Sequence, residues 1–272
     1  MLHITSGETL FEKLFGLGGE VLAWRDPLDE GPVPAGLSLA ELSDLRAEYI
    51  AEERQIPLGE VQRQFWLRDE WLENARNEDE IVLWFRDTVR EELQLRQILD
   101  WCAAQPGLKV TLARAHAWEG PLEELFRMRR PVEEADYDLA RRTWAAFRSP
   151  DPLELLSIAR LEIPVLLDFL REYPSVENGL GRSEQRALEA VAAGSPGEWM
   201  GTRWLAGLQS GERPLVTREP PQLTEDGRAV LEGRANWLDL HPLYRWMGGV
   251  LLERGAPLWM WREPALTLER HP

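Results

Sequence analysis

Three polar segments of this 272-residue chain follow short apolar runs that predict β-strands. In an open sheet of parallel strands, ligands bind beyond the carboxyl ends of the strands, which is where such segments stand. Hydroxyl, guanidinium and carboxylate groups at these positions suit a polar or phosphate-bearing small molecule. The candidate ligand-binding residues are Thr5, Ser6, Gly7, Arg25, Asp26, Glu30, Arg86 and Asp87.

The first and third segments each precede a predicted helix. Residues 5–9 form a short glycine-containing loop whose backbone N–H groups could receive a phosphate. The alternative is that Ser6 caps the helix, because Glu8 already supplies the negative charge that such a site would attract. In the third segment Thr88 is expected to cap a helix, while Asp87 either pairs with Arg86 or Arg90 or faces the ligand crevice.

The second segment, residues 24–34, carries three carboxylates and Arg25 in a loop stiffened by three prolines. A rigid set of carboxylates suits general acid–base catalysis or the binding of Mg²⁺ or Mn²⁺, with Asp26 and Asp29 as the candidate metal ligands. The alternative is a solvated acidic turn, because acidic residues are common in loops.

Familiar catalytic motifs are missing from the sequence. It has no Gly-x-Ser-x-Gly, Gly-x-x-x-x-Gly-Lys-Ser/Thr or His-Glu-x-x-His motif, and no Gly-x-Gly-x-x-Gly after a predicted strand. The usual hydrolase, NTPase and dehydrogenase interpretations therefore fail. The single cysteine, Cys102, excludes an internal disulfide and a zinc cluster built on paired cysteines. Among the histidines only His3 lies on a predicted strand near a polar segment, where a hydrogen-bonded structural role is typical.

The elements that must position these residues alternate between short apolar runs and amphipathic helices. This order predicts an α/β fold, a mainly parallel sheet flanked by helices in a Rossmann-like N-terminal domain. Capping boxes predict two helix starts, at Ser38 with Glu41 and at Thr88 with Glu91. The expected strands are residues 2–5, 20–24, 81–85 and 108–113. A helix between the two capping boxes is expected to bury Val61, Phe65, Leu72 and Ala75.

The formal charge of −16 is unevenly distributed, which indicates separate structural units. Residues 1–176 carry −14 and residues 177–272 carry −2. We expect an α/β domain over residues 1–120, a helical extension over 121–176 and a smaller, Trp-rich α+β domain over 177–272. The last domain is predicted to be winged-helix-like, because an extended segment leads into the pattern Leu-Thr-x-x-Gly-Arg-x-x-Leu.

Charge and apolar patterning also limit the partners. Residues 199–208, where a DNA-recognition helix would fall, contain only Arg203 as a basic residue, so nucleic acid is not expected as a partner. No apolar run reaches the length of a membrane helix, and the first residues lack signal-peptide features, which favours a cytoplasmic protein. Trp259 and Trp261 share one face of a predicted strand, where they either pack in a core or dock a protein partner.

Several segments resemble the bacterial family called domain of unknown function 1835. The similarity is carried by residues 2–8, 24–34, 84–85 and 93–99, and residues 178–180, 186–190 and 245–250 look like the uncharacterised C-terminal domain that usually accompanies it. Members of that family usually carry His at the position of Asp29 and an acidic-His-Asp run at positions 86–88. The resemblance therefore implies the family's scaffold without those two imidazoles, which favours binding over catalysis.

Three functions are open at this point. The sequence best fits a protein that binds a small polar or phosphate-bearing ligand in its first domain and a protein partner through its Trp-rich last domain. The alternative is a metal-dependent hydrolase or nucleotidyl-type transferase that uses the acidic residues. A transcription-related regulator is the third, and the missing basic helix argues against it.

Overall fold

The computed structural model describes residues 1–114 and 120–271, and the chain divides into two compact units. Unit 1 comprises Met1–Leu166 together with Trp246–Leu251. Unit 2 comprises Leu167–Arg245 together with the chain from Leu252 onward. The helical extension expected over residues 121–176 is thus divided between the two units.

The described residues form ten strands and twelve α-helices, numbered in chain order. The strands are β1 Leu2–Thr5, β2 Glu20–Ala23, β3 Gly31–Pro32, β4 Ile81–Trp84, β5 Val110–Leu112, β6 Arg130–Pro131, β7 Tyr244–Gly248, β8 Val250–Glu253, β9 Leu258–Arg262 and β10 Thr267–His271. The helices are α1 Glu8–Leu14, α2 Leu39–Arg54, α3 Leu58–Asn74, α4 Val89–Ala103, α5 Leu122–Arg127, α6 Glu134–Arg148, α7 Leu153–Leu161, α8 Leu166–Leu170, α9 Arg182–Ala192, α10 Arg203–Leu208, α11 Glu225–Leu231 and α12 Trp237–Leu240. None of these described helices is long and apolar enough to cross a membrane.

Unit 1 is built on a mostly parallel sheet flanked by helices, as the sequence predicted. Within the described residues this main sheet has five strands in the order β2-β1-β4-β5-β6. The first four run parallel, and β6 pairs antiparallel with β5. Both faces are covered: Ile81 and Leu83 pack in the cluster that contains α4, while Val82 and Trp84 pack in the cluster that contains Leu14 of α1. Burial on both faces explains why the β4 sequence is continuously apolar.

The two predicted capping boxes have different outcomes. Ser38 and Glu41 form the complete reciprocal arrangement at the start of α2. At α4 the Thr88 hydroxyl accepts the Glu91 N–H at 3.3 Å, but the Glu91 carboxylate accepts instead from Arg86. The second predicted box is therefore half formed, because a charged guanidinium and the Arg86 N–H together offer the carboxylate stronger hydrogen bonds.

A short stretch from late in the chain completes unit 1. Strand β3 pairs in parallel with Met247 and Gly248 of β7. The Gly249 N–H donates to the Phe147 carbonyl at 2.9 Å, at the end of α6. A Cβ on Gly249 would stand 1.9 Å from the Arg148 carbonyl oxygen, so only glycine fits this crossing.

Unit 2 combines short helices with the antiparallel hairpin β9-β10. Its core gathers residues from α9 to α12, including Leu188, Leu205, Val230 and Trp237. On β9 Trp261 is 3% exposed and packs inward, whereas Trp259 is half-buried, so the two do not form a fully exposed aromatic patch.

Candidate functional site

The strand order brings the three polar segments to one edge of the main sheet. Strand β1 lies between β2 and β4, so the carboxyl ends of the three strands are neighbours. The Trp24 N–H donates to the Thr5 carbonyl at 2.8 Å, and the Arg25 N–H donates to the Ser6 carbonyl at 2.9 Å. Strands pair about 4.8 Å apart, so the backbones that follow β2 and β4 are roughly 10 Å apart, within reach of one small ligand.

Arg25 has an unusual backbone at this edge. Its φ of 55° is in the left-handed region, and its side chain is exposed, with the guanidinium carbon 5.8 Å from the centre of the Phe11 ring. A non-glycine residue held in this region costs about 1–3 kcal/mol, and such residues cluster at functional sites. The backbone conformation of Arg25 thus fixes the direction in which its side chain projects from the main chain.

The first segment differs from the capping alternative. Gly7, not Ser6, is the N-cap residue of α1, and within the described part of the chain no side-chain capping hydrogen bond is formed there. Apart from its neighbours along the chain, no described residue has an atom within 4 Å of the point where a Cβ on Gly7 would stand. The loop therefore leaves open space beside the backbone. Thr5, in contrast, is buried at the end of β1.

Asp26 is a buried residue that contacts two arginines. Arg46 donates to Asp26 Oδ1 through Nε at 3.0 Å and Nη2 at 2.8 Å. Arg68 Nη1 is 3.6 Å from Asp26 Oδ2, and Arg68 also binds Asp69. Arg46 donates further to the carbonyls of Pro27 and Glu30. Asp26 therefore holds the second segment in place from the protein interior and is not accessible to solvent.

Two glutamines of α4 extend this buried cluster. Gln94 donates to the Asp26 carbonyl at 2.6 Å, and Gln97 accepts the Trp24 indole N–H at 2.9 Å. Four buried side-chain atoms of the cluster have no hydrogen-bond partner among the described residues: Asp26 Oδ2, Arg68 Nη1, Gln94 Oε1 and Gln97 Nε2. Losing one of the existing hydrogen bonds of this cluster is costly, because the freed donor or acceptor cannot form a hydrogen bond with bulk water instead.

The remaining carboxylates of the edge face arginines. Asp29 accepts hydrogen bonds from Arg90 Nε at 2.7 Å and Arg90 Nη2 at 3.1 Å. Glu30 Oε1 lies 3.3 Å from Arg54 Nη2, and Asp87 pairs with Arg114. The described residues contain no cluster of three or more His, Cys, Asp or Glu side chains able to hold a metal ion. Around the two candidate metal ligands, Asp26 and Asp29, guanidinium groups occupy the place that a cation would take.

Arg86 and Arg90 present charge at this edge beside Arg25. The Arg86 side chain is 52% exposed and binds Glu91 through Nε at 2.8 Å, while Arg90 is 45% exposed and binds Asp29. Each carboxylate holds one side of its guanidinium, which orients the group and leaves half of its surface to solvent. Sequence reasoning named Arg90 only as a possible partner of Asp87 and missed its pair with Asp29. It also missed Arg46, Arg68 and Arg114, because no spacing rule connects them to their distant partners.

His3 lies on β1 but has a structural environment. Its Nδ1 accepts the Trp84 indole N–H at 3.0 Å, and its Nε2 donates to the Gly18 carbonyl at 2.9 Å. The bond from Trp84 requires the neutral ring, since an indole N–H is a donor only. Burial lowers the pKa of His3 in agreement with this arrangement. The ring is fully buried and cannot meet a ligand.

A second concave region belongs to unit 2. This groove has a volume of about 770 Å³ and is lined by α9, the end of α11 and the segment that follows Pro174. Trp261 forms part of its wall, and its indole N–H is buried without an acceptor among the described residues. Arg186 of α9 has no ion-pair partner in the part of the chain that the structure describes, whereas Glu189 accepts from Gln185. The groove therefore offers both signs of charge beside an aromatic wall.

Comparisons with known proteins give no functional information on this chain, so any functional conclusion depends on the geometry of the site. The chain matches no family model, no curated protein and no solved structure.

Proposed function

We propose that unit 1 binds a small anionic, phosphate-bearing molecule at the carboxyl edge of the main sheet. The observation that carries this proposal is the placement of Arg25 and Arg86 on segments that follow strands two positions apart, with β1 between them. Ser6 and Gly7 follow β1 between these segments, and Gly7 leaves open space, whereas the Thr5 side chain is buried. Crevices of this kind are the usual ligand sites of open α/β sheets.

Electrostatics supports an anion despite the acidic surface of the chain. Carboxylates at the edge are engaged by the guanidiniums of Arg46, Arg54, Arg90 and Arg114, which reduces their repulsion of an incoming phosphate. Arginine presents planar donors that match phosphate oxygens, and each charged hydrogen bond contributes about 1.5–3 kcal/mol. The hydrogen bonds that Arg25 and Arg86 donate to a bound phosphate therefore outweigh its long-range repulsion by the net negative charge of the chain.

Thermal stabilisation tests the proposal. Inorganic phosphate, nucleotides and sugar phosphates are screened at millimolar concentration, where a ligand at 100 times its Kd raises the free energy of unfolding by about 2.7 kcal/mol. For any ligand found, Arg25→Ala and Arg86→Ala should each raise Kd by at least about tenfold. Arg141→Ala, which removes an exposed arginine paired with acids on α6, is the matched control and should leave Kd unchanged.

Two results would overturn the assignment. One is the absence of stabilisation by any compound of the screen. The other is a ligand whose Kd is the same for the wild type and for both the Arg25 and the Arg86 variants, which would place its site elsewhere.

A second candidate function concerns unit 2, which we propose to be a winged-helix-like protein-interaction domain of a cytoplasmic protein. Support comes from its short helices followed by the hairpin β9-β10 and from the groove with charges of both signs. Arg186→Glu should weaken capture of a partner protein from a bacterial lysate, while Arg213→Glu, on another part of unit 2, should not. Equal capture by both variants would exclude the groove.

The metal-dependent hydrolase or transferase stays the alternative for unit 1. Its test is Mg²⁺ or Mn²⁺ titration of the wild type beside Asp29→Asn. Metal binding that is lost in this variant would favour it over the ligand-binding proposal.

A further inference from the structure

Helix α3 has an exposed face with an unusual content of large apolar side chains. Its inner face buries Val61 and Phe65 against the cluster that includes α2, and Leu72 in the core cluster beneath the main sheet. On the opposite side Trp66 is 61% exposed, and Leu67 and Trp71 are each 38% exposed. Single exposed apolar residues are ordinary, but three within six positions of one helix, spread over about 140° of its outer surface, mark an interaction surface.

Charged residues frame this apolar face in a self-complementary pattern. Arg63 and Glu70 are exposed, lie seven residues apart and so point the same way from the helix. Seven residues span about 10 Å of helix, which is too far for the two to pair with each other. Neither has a hydrogen-bond or ion-pair partner within the described residues, although most charged groups of unit 1 do. Trp66 and Leu67 lie at the midpoint between them.

We infer that α3 binds α3 of a second copy of this chain in an antiparallel pair, which makes the protein a homodimer. A two-fold axis between Trp66 and Leu67 places Arg63 of each copy against Glu70 of the partner subunit. The same axis packs Trp66 and Leu67 against the equivalent pair of the partner subunit. Two-fold interfaces use one patch twice, so the opposite charges at equal distances from the centre satisfy each other.

The size and composition of the surface set the expected affinity. One helix face from each copy is at or below the small end of specific interfaces, about 1,200 Å² in total. Tryptophan and arginine are the residues that dominate binding energy in such contacts. We therefore expect a dimer with Kd of about 1–100 μM, formed without the ligand of unit 1 and separable from it.

Sedimentation analysis of the full chain over a range of micromolar concentrations is the first test. The wild type should pass from monomer to dimer, and Trp66→Ala should raise the dimer Kd by at least about tenfold. Arg228→Glu, a charge reversal on α11 of unit 2, is the control and should dimerise normally. A wild type that stays monomeric up to several hundred micromolar would overturn the inference.

Charge exchange tests the antiparallel arrangement. Arg63→Glu and Glu70→Arg should each weaken self-association, because each sets like charges opposite one another at both ends of the pair. Mixed together, these two variants should form a heterodimer, since one carries acidic and the other basic side chains at both positions. The double variant should dimerise like the wild type, because it only exchanges the two signs. Failure of both the mixture and the double variant to recover dimers would refute this pairing, even if the wild type is a dimer.

Discussion

Replacing Asp26 by asparagine is the sharpest test of the buried cluster beneath the candidate site. Asp26 is fully buried, and its Oδ1 accepts two N–H groups of Arg46. The asparagine would keep an acceptor there, but its amide donor would stand where Oδ2 lies, 3.6 Å from the Arg68 Nη1 donor. Removing one partner of a buried ion pair costs about 3–5 kcal/mol, so we expect a loss of this size in the free energy of unfolding.

The comparison with Asp29 supplies the matched control. Asp29 also makes a two-bonded pair with an arginine, but both partners are partly exposed. Asp29→Asn should therefore cost no more than about 1 kcal/mol. If Asp26→Asn fails to fold, replacing Asp26 and Arg46 together by apolar residues should restore folding, because Arg68 keeps its ion pair with Asp69 and no buried charge is left unpaired.

Cys102 makes the measurement specific for unit 1. It is the single cysteine of the chain, lies in the core cluster on α4, and burial raises its pKa to about 12. The thiol should react with an alkylating reagent only when this part of unit 1 opens. Labelling across a urea series then gives the midpoint and free energy of unfolding for each variant. A difference below about 1 kcal/mol between the Asp26 and Asp29 variants would refute the reasoning, since the buried and exposed pairs differ by more than this.

Three further predictions concern unit 1, each measured by the same labelling or by thermal melting. Burial lowers the pKa of His3, so a proton binds more readily to the unfolded chain than to the folded one. The free energy of unfolding should therefore fall as the pH is lowered through the usual His value of 6.5. His3→Gln should flatten this dependence between about pH 7.5 and 5.5. Glu80, whose pKa is lowered to about 2 by its hydrogen bond from Arg129, should stabilise the fold above its usual value of 4.5 and lose this effect as pH falls toward 2, and Glu80→Gln should cost about 1–3 kcal/mol at pH 7. Gly249→Ala should cost at least about 2 kcal/mol because of the clash at α6, whereas Gly59→Ala, with open space on α3, should be neutral or stabilising by up to about 1 kcal/mol; a reversed order would contradict the packing argument.

Local patterns predicted the parts of the fold that depend on neighbours along the chain. The apolar runs at β1 and β4 and the capping box of α2 were all predicted from a few adjacent residues, and the structure confirms them. These features depend on adjacent residues and need no long-range information. The order of strands, which places the three polar segments side by side, was not predicted, because the alternation of strands and helices indicates a parallel sheet without fixing which strands are neighbours.

Electrostatic partners were the part that the sequence did not reveal. Asp26 and Arg46 are 20 positions apart, and Asp87 and Arg114 are 27 positions apart, so their pairing depends on the tertiary fold. The same applies to the half-formed second capping box, because Arg86 attracts the Glu91 carboxylate. On α3 a signal was present: Trp66, Leu67 and Trp71 fall outside the apolar stripe that includes Val61 and Phe65.

The return of residues 246–251 to unit 1 bears on how the protein is made. A ribosome that has released the segment up to Leu166 has still to add the chain up to Trp246 before β3 can find β7. At about 5–20 residues per second this delay lasts roughly 4–16 seconds, during which most of unit 2 emerges. In nascent unit 1, β3 therefore stays unpaired until β7 has been synthesised, which happens after most of unit 2. Any premature stop between Leu167 and Arg245 should yield an incomplete first unit and a substrate for proteases.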